Sequence, residues 1–398
     1  MLDIIIAIVA GLVFGVVAGL LPGLHPNNTI PIILGLTSFL SPLQASVLLI
    51  STGVSNIFVN FIPSVLLGAP EDSNVLGVLP GHRLLLEGKG FEAIKLSVMG
   101  AFFGMMFSIA VLPLFALFIS TVYEFIRPNV HYILIPIVIY MIAKEKGYGK
   151  VFAILTFFLS GLLGILVLDY SDAMLFPLLS GLFGMPTLLI SITSKTSLPK
   201  KFEDTDITMK NKDLIKASVI GSLSGIIAGL LPGLGAAQST ALTQQVFKEN
   251  DGRKFLVSIG AVASSDLIYS IMALYLIGNP RSGIAVAVST LMEVGFNEVL
   301  LFLSIILAVS GISVVITLKM TKFCLQIMRK VDYQMLCAST MALIFIMIFI
   351  FSGLIGLIVS IIAMCIGLIP NYTNVRRTHS MGCLLLPTIL WFAAIRLI

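Results

Sequence analysis

Long apolar runs set off by short charged stretches occupy almost the whole chain. They fall near 4–21, 29–40, 44–67, 95–119, 131–143, 151–168 and 174–193, then near 215–231, 236–247, 255–277, 284–304, 306–318, 335–369 as a close pair, and 381–397. Runs unbroken for roughly 17 to 25 residues have the length of membrane-crossing helices, and they lack the period-two alternation of a membrane barrel. Shorter runs such as 131–143 and 236–247 cannot cross alone and are predicted as half-helices or tilted pieces. The expected fold class is all-α: a polytopic transmembrane helical protein.

The two sets of runs resemble each other. Gly15-x-x-Ala18-Gly19-Leu20-Leu21-Pro22-Gly23-Leu24 recurs as Gly225-x-x-Ala228-Gly229-Leu230-Leu231-Pro232-Gly233-Leu234, identical at eight of ten positions after a shift of 210 residues. At the same shift Gly68-Ala69-Pro70-Glu71 meets Gly278-Asn279-Pro280-Arg281, and Ser55-Asn56 meets Ser265-Asp266. One register held this far marks an internal duplication. The domain organisation expected is a first transmembrane repeat over 1–194, a basic cytoplasmic linker over 195–216 carrying six lysines, and a second transmembrane repeat over 217–398.

Composition and charge sharpen this picture. With 58% hydrophobic and 11% charged residues among 398, and a mean hydropathy of +1.08, the chain has too few ions to coat a soluble surface. Its net charge of +5 comes from Lys and Arg gathered between the apolar runs, so it speaks for membrane orientation and against nucleic acid. Cationic stretches at His82 to Lys95, Lys144 to Lys150, Lys195 to Lys216, Lys248 to Lys254, Lys319 to Lys330 and Arg376 to His379 are expected on the cytoplasmic side of a multi-pass protein of the cytoplasmic membrane. The loop with Asp169 and Asp172 is expected outside. The uncharged link at Ser41-Pro42 answers to the basic 248–254 stretch, and the basic 83–95 stretch answers to Glu293 to Glu298, which holds no Lys or Arg. Sidedness therefore flips between the copies, which implies two inverted-topology repeats. Asp3 follows the first Met-Leu with no cationic region, so no cleaved signal peptide is expected. Cys324, Cys337, Cys365 and Cys383 form no C-x-x-C pair and read as packing residues.

Pro22-Gly23 and Pro232-Gly233 interrupt apolar runs, and a helix must break there. Unpaired peptide groups are costly in lipid unless protein or a water-filled cavity satisfies them. Broken helices at matching places in two repeats are the pattern of a transporter's midplane site, although each could be a structural kink. The helical segment after each break offers free amides and a positive dipole end, which favour an anion. Asn28 and Thr29 in the first copy, and Gln238, Ser239 and Thr240 in the second, supply neutral donors beside it. The candidate substrate-binding residues are therefore Pro22, Gly23, Leu24, Asn28, Thr29, Pro232, Gly233, Leu234, Gln238, Ser239 and Thr240. Gly15, Gly19, Gly225 and Gly229 are assigned to close helix packing. His25 could titrate during transport or simply hydrogen-bond in a turn.

A second set lies at the turns of two re-entrant hairpins, Gly68 to Asn74 and Gly278 to Gly283. Acidic groups at membrane depth are costly and usually functional, so Asn56, Pro70, Glu71, Asp72, Asp266, Pro280 and Arg281 are candidates for ion coupling or substrate contact. Glu71 and Asp72 could equally be solvated loop charges, and Arg281 a snorkelling cation. Asp266 and Asn56 sit inside long apolar runs and have no such surface explanation.

The doubled G-x-x-x-G-L-x-P-G-L signature, with both hairpin turns, resembles the large membrane subunit of the tripartite tricarboxylate transporters over roughly Gly11 to Lys95 and Gly221 to Gly283. The resemblance implies secondary active uptake of carboxylates with a small membrane subunit and an extracytoplasmic binding protein, driven by an H+ or Na+ gradient. It adds no cofactor beyond that coupling cation, and no metal or catalytic residue. Gly-Ala-Pro-Glu-Asp-Ser-Asn at 68–74, followed by Pro80-Gly81-His82-Arg83, departs from the usual turn and is similar to a divergent, archaeal branch. A passive channel or structural membrane subunit is the alternative reading, and a homo-oligomer is compatible with any of them. An intramembrane enzyme would need a motif such as H-E-x-x-H, G-x-S-x-G or G-x-G-D, and the sequence contains none of these.

Overall fold

A computed structural model describes every residue except 1, 22–29, 31–32, 36–38, 70–71, 194–206, 208, 231–234, 248–250, 329 and 395–398. The described residues are mostly helical, without a strand, and ten helices are long and apolar enough to cross a membrane. In order, the first half contains α1 (Leu2–Leu20), α2 (Pro42–Val59), α3 (Phe61–Leu67), α4 (Val78–Leu86), α5 (Gly90–Ile126), α6 (Val130–Ala143), α7 (Gly149–Leu168), α8 (Leu175–Leu179) and α9 (Met185–Thr193). The second contains α10 (Asn211–Leu230), α11 (Ala236–Val246), α12 (Gly252–Ile277), α13 (Gly283–Leu291), α14 (Phe296–Met328), α15 (Tyr333–Thr373) and α16 (Gly382–Phe392). The chain is thus an all-α, polytopic membrane protein.

Glycine stripes hold the first two crossings of each half together. A Cβ added at Gly11 would lie 2.5 Å from the Leu48 carbonyl oxygen, and one at Gly15 would lie 2.3 Å from that of Thr52. At Gly221 and Gly225 the nearest carbonyls are those of Ser258 and Val262, at 2.3 and 2.4 Å. Gly19 faces Val59, and Gly229 faces Tyr269. Each contact of α1 on α2 therefore recurs 210 residues later in α10 on α12. Helices can approach this closely only where side chains are missing, and dispersion between bare backbones then replaces the hydrophobic drive that lipid does not supply.

The ends of α2 and α12 follow the same register. Ser41 caps α2 through a reciprocal bond with Gln44, its hydroxyl accepting from the Gln44 amide and its own amide donating to Gln44 Oε1 at 2.8 Å. Asp251 takes the matching position ahead of α12. Gly68 and Gly278, again 210 apart, close α3 and α12 in the left-handed conformation at φ 63° and 67°, which a residue with a Cβ adopts poorly. The halves then exchange partners. The third long helix of each half packs on the second helix of the other: α5 lies on α12, where Gly260 meets the Ser97 carbonyl, and α14 lies on α2. The returning hairpin arms do the same, with α13 on α2 and the 3-10 turn Asp72–Gly77 on α12.

Several boundaries differ from the sequence reading. The boundary between the runs at 284–304 and 306–318 lies earlier than expected: a short α13 ends at Leu291, and α14 runs unbroken for 33 residues through Ser304, whose hydroxyl donates to the Leu300 carbonyl without breaking the helix. The run at 95–119 is the middle of α5, 37 residues or about 55 Å long. The helix α10 begins at Asn211, inside the stretch read as linker. By contrast, the pair expected within 335–369 is present: α15 is two helices that meet at Gly353, whose backbone is non-helical (φ 64°, ψ −158°), and beside it the Ser352 hydroxyl donates to the Ala173 carbonyl next to the 169–172 loop.

Described residues of all six cationic stretches converge on one face. Arg253 donates to Glu92 through two nitrogens, at 2.9 and 3.1 Å, and Lys254 lies 3.3 Å from Asp213. Lys322 lies over the Phe91 ring, and His379 meets Glu145 at 3.0 Å. His82 is not a loop cation. It is buried in α4, where its Nε2 shares a hydrogen bond with the Tyr333 hydroxyl, and burial, with the Arg377 charge, lowers its pKa from 6.5 to about 4.

Two outcomes are expected. Gly225→Val forces α10 off α12 and destabilises the fold by about 1–3 kcal/mol, while Gly311→Ala, with nothing within 4 Å, stays within about 0.5 kcal/mol of wild type in a detergent melt. Because the folded-state pKa of His82 is depressed, the unfolded chain takes up the proton first as pH falls. Stability is full above about pH 6.5 and declines towards pH 4, by at most roughly 3 kcal/mol from this group. His379, also lowered chiefly by burial, acts in the same sense. The Tm of His82→Gln should fall less steeply than wild type over that window, and parallel slopes would refute the assignment.

Candidate functional site

The break in the second half is framed by described residues. The helix α10 stops at Leu230, and α11 starts at Ala236 after Gly235 in extended backbone. With 11 residues, α11 is about 16 Å long, half a bilayer. It packs against α10, α12 and the 72–77 turn, so its start lies within protein. Its first turn, Ala236 to Thr240, is buried.

The three polar residues of that turn divide into two kinds. Gln238 Oε1 accepts the Gly235 amide at 2.9 Å and so caps the helix. The Ser239 and Thr240 hydroxyls are fully buried and have no hydrogen-bond partner among the described residues. A buried hydroxyl left unpaired costs about 1–3 kcal/mol, so such a pair at a helix start calls for an acceptor from elsewhere. Free amides of the same turn and the positive end of its dipole favour an anionic one.

Much of the expected site lies outside the described residues. Pro22, Gly23, Leu24, Asn28 and Thr29, the neighbouring His25, Pro232, Gly233 and Leu234, and Pro70 and Glu71 all do, as does the side chain of Asp72. Asn56 and Asp266 occupy equivalent positions on α2 and α12. Asn56 is 1% exposed with its amide nitrogen unpaired, and Asp266 is half-buried on the helix that α11 packs against. Neighbouring polar groups pin these helices. Asn60 accepts from the Asn74 side chain, tying α2 to the 72–77 turn, and Ser108 of α5 donates to Ser265 at 2.6 Å. Pro280 and Arg281 form the turn between α12 and α13, where the Arg281 guanidinium donates to the Tyr123 hydroxyl at the end of α5.

One basic residue at the site was read from sequence only as a loop cation. Arg377 borders a cavity of about 280 Å³ that is also lined by Leu79, Pro80, Asn371, Asn374 and, from α11, Gln244. Its guanidinium donates to Asn371 Oδ1 and to the Thr187 hydroxyl, each at 2.7 Å, and meets no carboxylate among the described residues. Burial lowers its pKa to about 10, so it stays a cation at neutral pH. Thr378 donates to Gln244, fixing the cavity wall to α11. The same half-helix thus carries buried hydroxyls at its start and borders an uncompensated positive charge near its end. The sequence signal was the amide pair Asn371 and Asn374 beside Arg377, which flat counting of loop cations conceals.

Comparison with known proteins agrees with this geometry. An uncharacterized protein of Methanocaldococcus jannaschii is 31% identical over 385 residues, covering 92% of this chain and 94% of the relative. That relative is archaeal, in keeping with the branch to which the hairpin turns point. No solved structure matches the chain. The Tripartite tricarboxylate transporter TctA family matches residues 5–382, and with them both glycine stripes, both hairpin turns and the Arg377 cavity. The chain belongs to this family, one of membrane transporters and not of enzymes.

Proposed function

We propose that the protein is the permease subunit of a secondary transporter that moves an organic anion, a di- or tricarboxylate, across the cytoplasmic membrane, coupled to an H+ or Na+ gradient. It works with a small membrane subunit and an extracytoplasmic binding protein, and its two repeats are inverted, as the exchanged packing of α5 on α12 and α14 on α2 supports. The observation that carries the reading is the buried start of α11 with two hydroxyls that have no partner among the described residues. A carboxylate there accepts from Ser239, Thr240 and the free amides, and no full cation need be placed beside the break. Arg377, on the face where the cationic stretches meet, offers the same anion a second resting place towards the cytoplasm. Asp266, half-buried on α12, is the candidate to take up the coupling cation.

Thermal unfolding against a panel of di- and tricarboxylates, with and without sodium and at two pH values, tests this. A ligand at 100 times its dissociation constant raises stability by about 2.7 kcal/mol. One carboxylate should produce that shift, enlarged by sodium or by low pH. Losing both hydroxyls in Ser239→Ala with Thr240→Val should weaken it by roughly 10- to 100-fold, and Arg377→Gln by a similar factor, from the loss of charge-assisted bonds. Unchanged affinity in both variants would refute the site, and the absence of any carboxylate shift would refute the substrate class.

A further inference from the structure

On the face opposite the cationic stretches, two arginines share one tyrosine. Arg281 donates to the Tyr123 hydroxyl and lies 5.3 Å from the ring centroid, while Arg127 lies 5.9 Å from the same centroid. Asn279 also donates to that hydroxyl, at 3.3 Å. Neither arginine pairs with a carboxylate among the described residues, and the Arg281 Nε is buried without a partner. The adjacent Glu124 is exposed and joins neither. Two like charges over one ring repel each other, so the cluster is incomplete without an anion.

Tyr123 is also one end of a groove. Between α5 and α10 a cavity of about 290 Å³ is lined by Leu114, Phe118 and Tyr123 on one side and by Ile226, Ile227 and Leu230 on the other. Tyr123 carries its only polar side-chain atom. Leu114 and Phe118 are largely exposed, so the groove opens sideways towards the hydrocarbon. An apolar slot with two cations at its end matches a molecule with a charged head and an aliphatic tail.

We propose that this is a binding site for an anionic membrane phospholipid, its phosphate held by Arg281 and Arg127 and an acyl chain laid along Leu114, Phe118 and Ile227. Charge complementarity selects this occupant. A soluble anion has no use for the groove, and an apolar helix of another protein has none for two unpaired guanidinium groups. The lipid rests against Leu230, the last residue of α10 before the break that leads into α11. This site is independent of the carboxylate reading, because it shares no residue with α11 or Arg377.

The test uses the full-length protein in neutral detergent, titrated with phosphatidylglycerol or with phosphatidylcholine of the same acyl chains, reading Tm and the lipid retained in native mass spectrometry. Phosphatidylglycerol should be preferred. Arg127→Gln and Arg281→Gln should each weaken that preference roughly fivefold, leaving the lipid-free Tm near wild type. Ile227→Trp, which fills the groove and spares both arginines, should also lose retained lipid. Equal binding of the two lipids, or a preference surviving in the double arginine variant, overturns the proposal. So does undiminished retention in Ile227→Trp, or an arginine-dependent shift reproduced by inorganic phosphate alone.

Discussion

Contact between bare backbones at Gly11, Gly15, Gly221 and Gly225 is the interaction on which the rest of this protein rests. Apolar side chains gain nothing by leaving lipid for one another, so two helices stay together in a bilayer by packing closely and satisfying polar groups between them. Removing side chains along one face of α1 and α10 brings them onto the carbonyls of α2 and α12. Those partners become the buried centre of the molecule, with 94% of the residues in the apolar 18-residue stretch of each buried. Once α10 is fixed on α12, the position of the break after Leu230 is fixed too, and α11 must start inside the bundle.

Polar chemistry is then distributed by face. The cationic stretches gather on one side, where pairs such as Arg253 with the buried Glu92 absorb part of their charge. Arg377 is not absorbed in this way. Held by Asn371 and Thr187 among the described residues, it keeps its charge beside a cavity bordered by α11. Neutral donors thus stand at the start of the half-helix and a cation towards its end, the arrangement on which the proposed anion route rests. On the opposite face Arg281 and Arg127 make a separate cationic pair at the mouth of an apolar groove.

The fold was readable to the extent that it obeys periodic rules. Hydropathy located the crossings, the 210-residue shift located the duplication, and spacing assigned Gly15, Gly19, Gly225 and Gly229 to packing, which is the role they have. Length was read less well. An apolar run does not reveal how far its helix continues past polar residues, so α14 was divided and α5 shortened. His82 looked like a loop cation because its neighbours are charged, but burial beside Tyr333 makes it neutral.

By itself the sequence determined the membrane-spanning all-α class, the 210-residue repeat and the interruption between α10 and α11, because these follow from local chemistry: runs long enough to cross lipid, glycine where backbones touch, proline and glycine where a helix cannot continue. It also marked Ser239 and Thr240 as donors after a break. Only the tertiary structure decided that Gln238 is a cap, that Arg281 is held by Tyr123, and that Arg377 faces a cavity beside α11. Those outcomes depend on partners more than a hundred residues away, or on which atom of a side chain is already bonded. Burial and hydrogen-bond satisfaction are properties of the packed whole, and no local pattern encodes them.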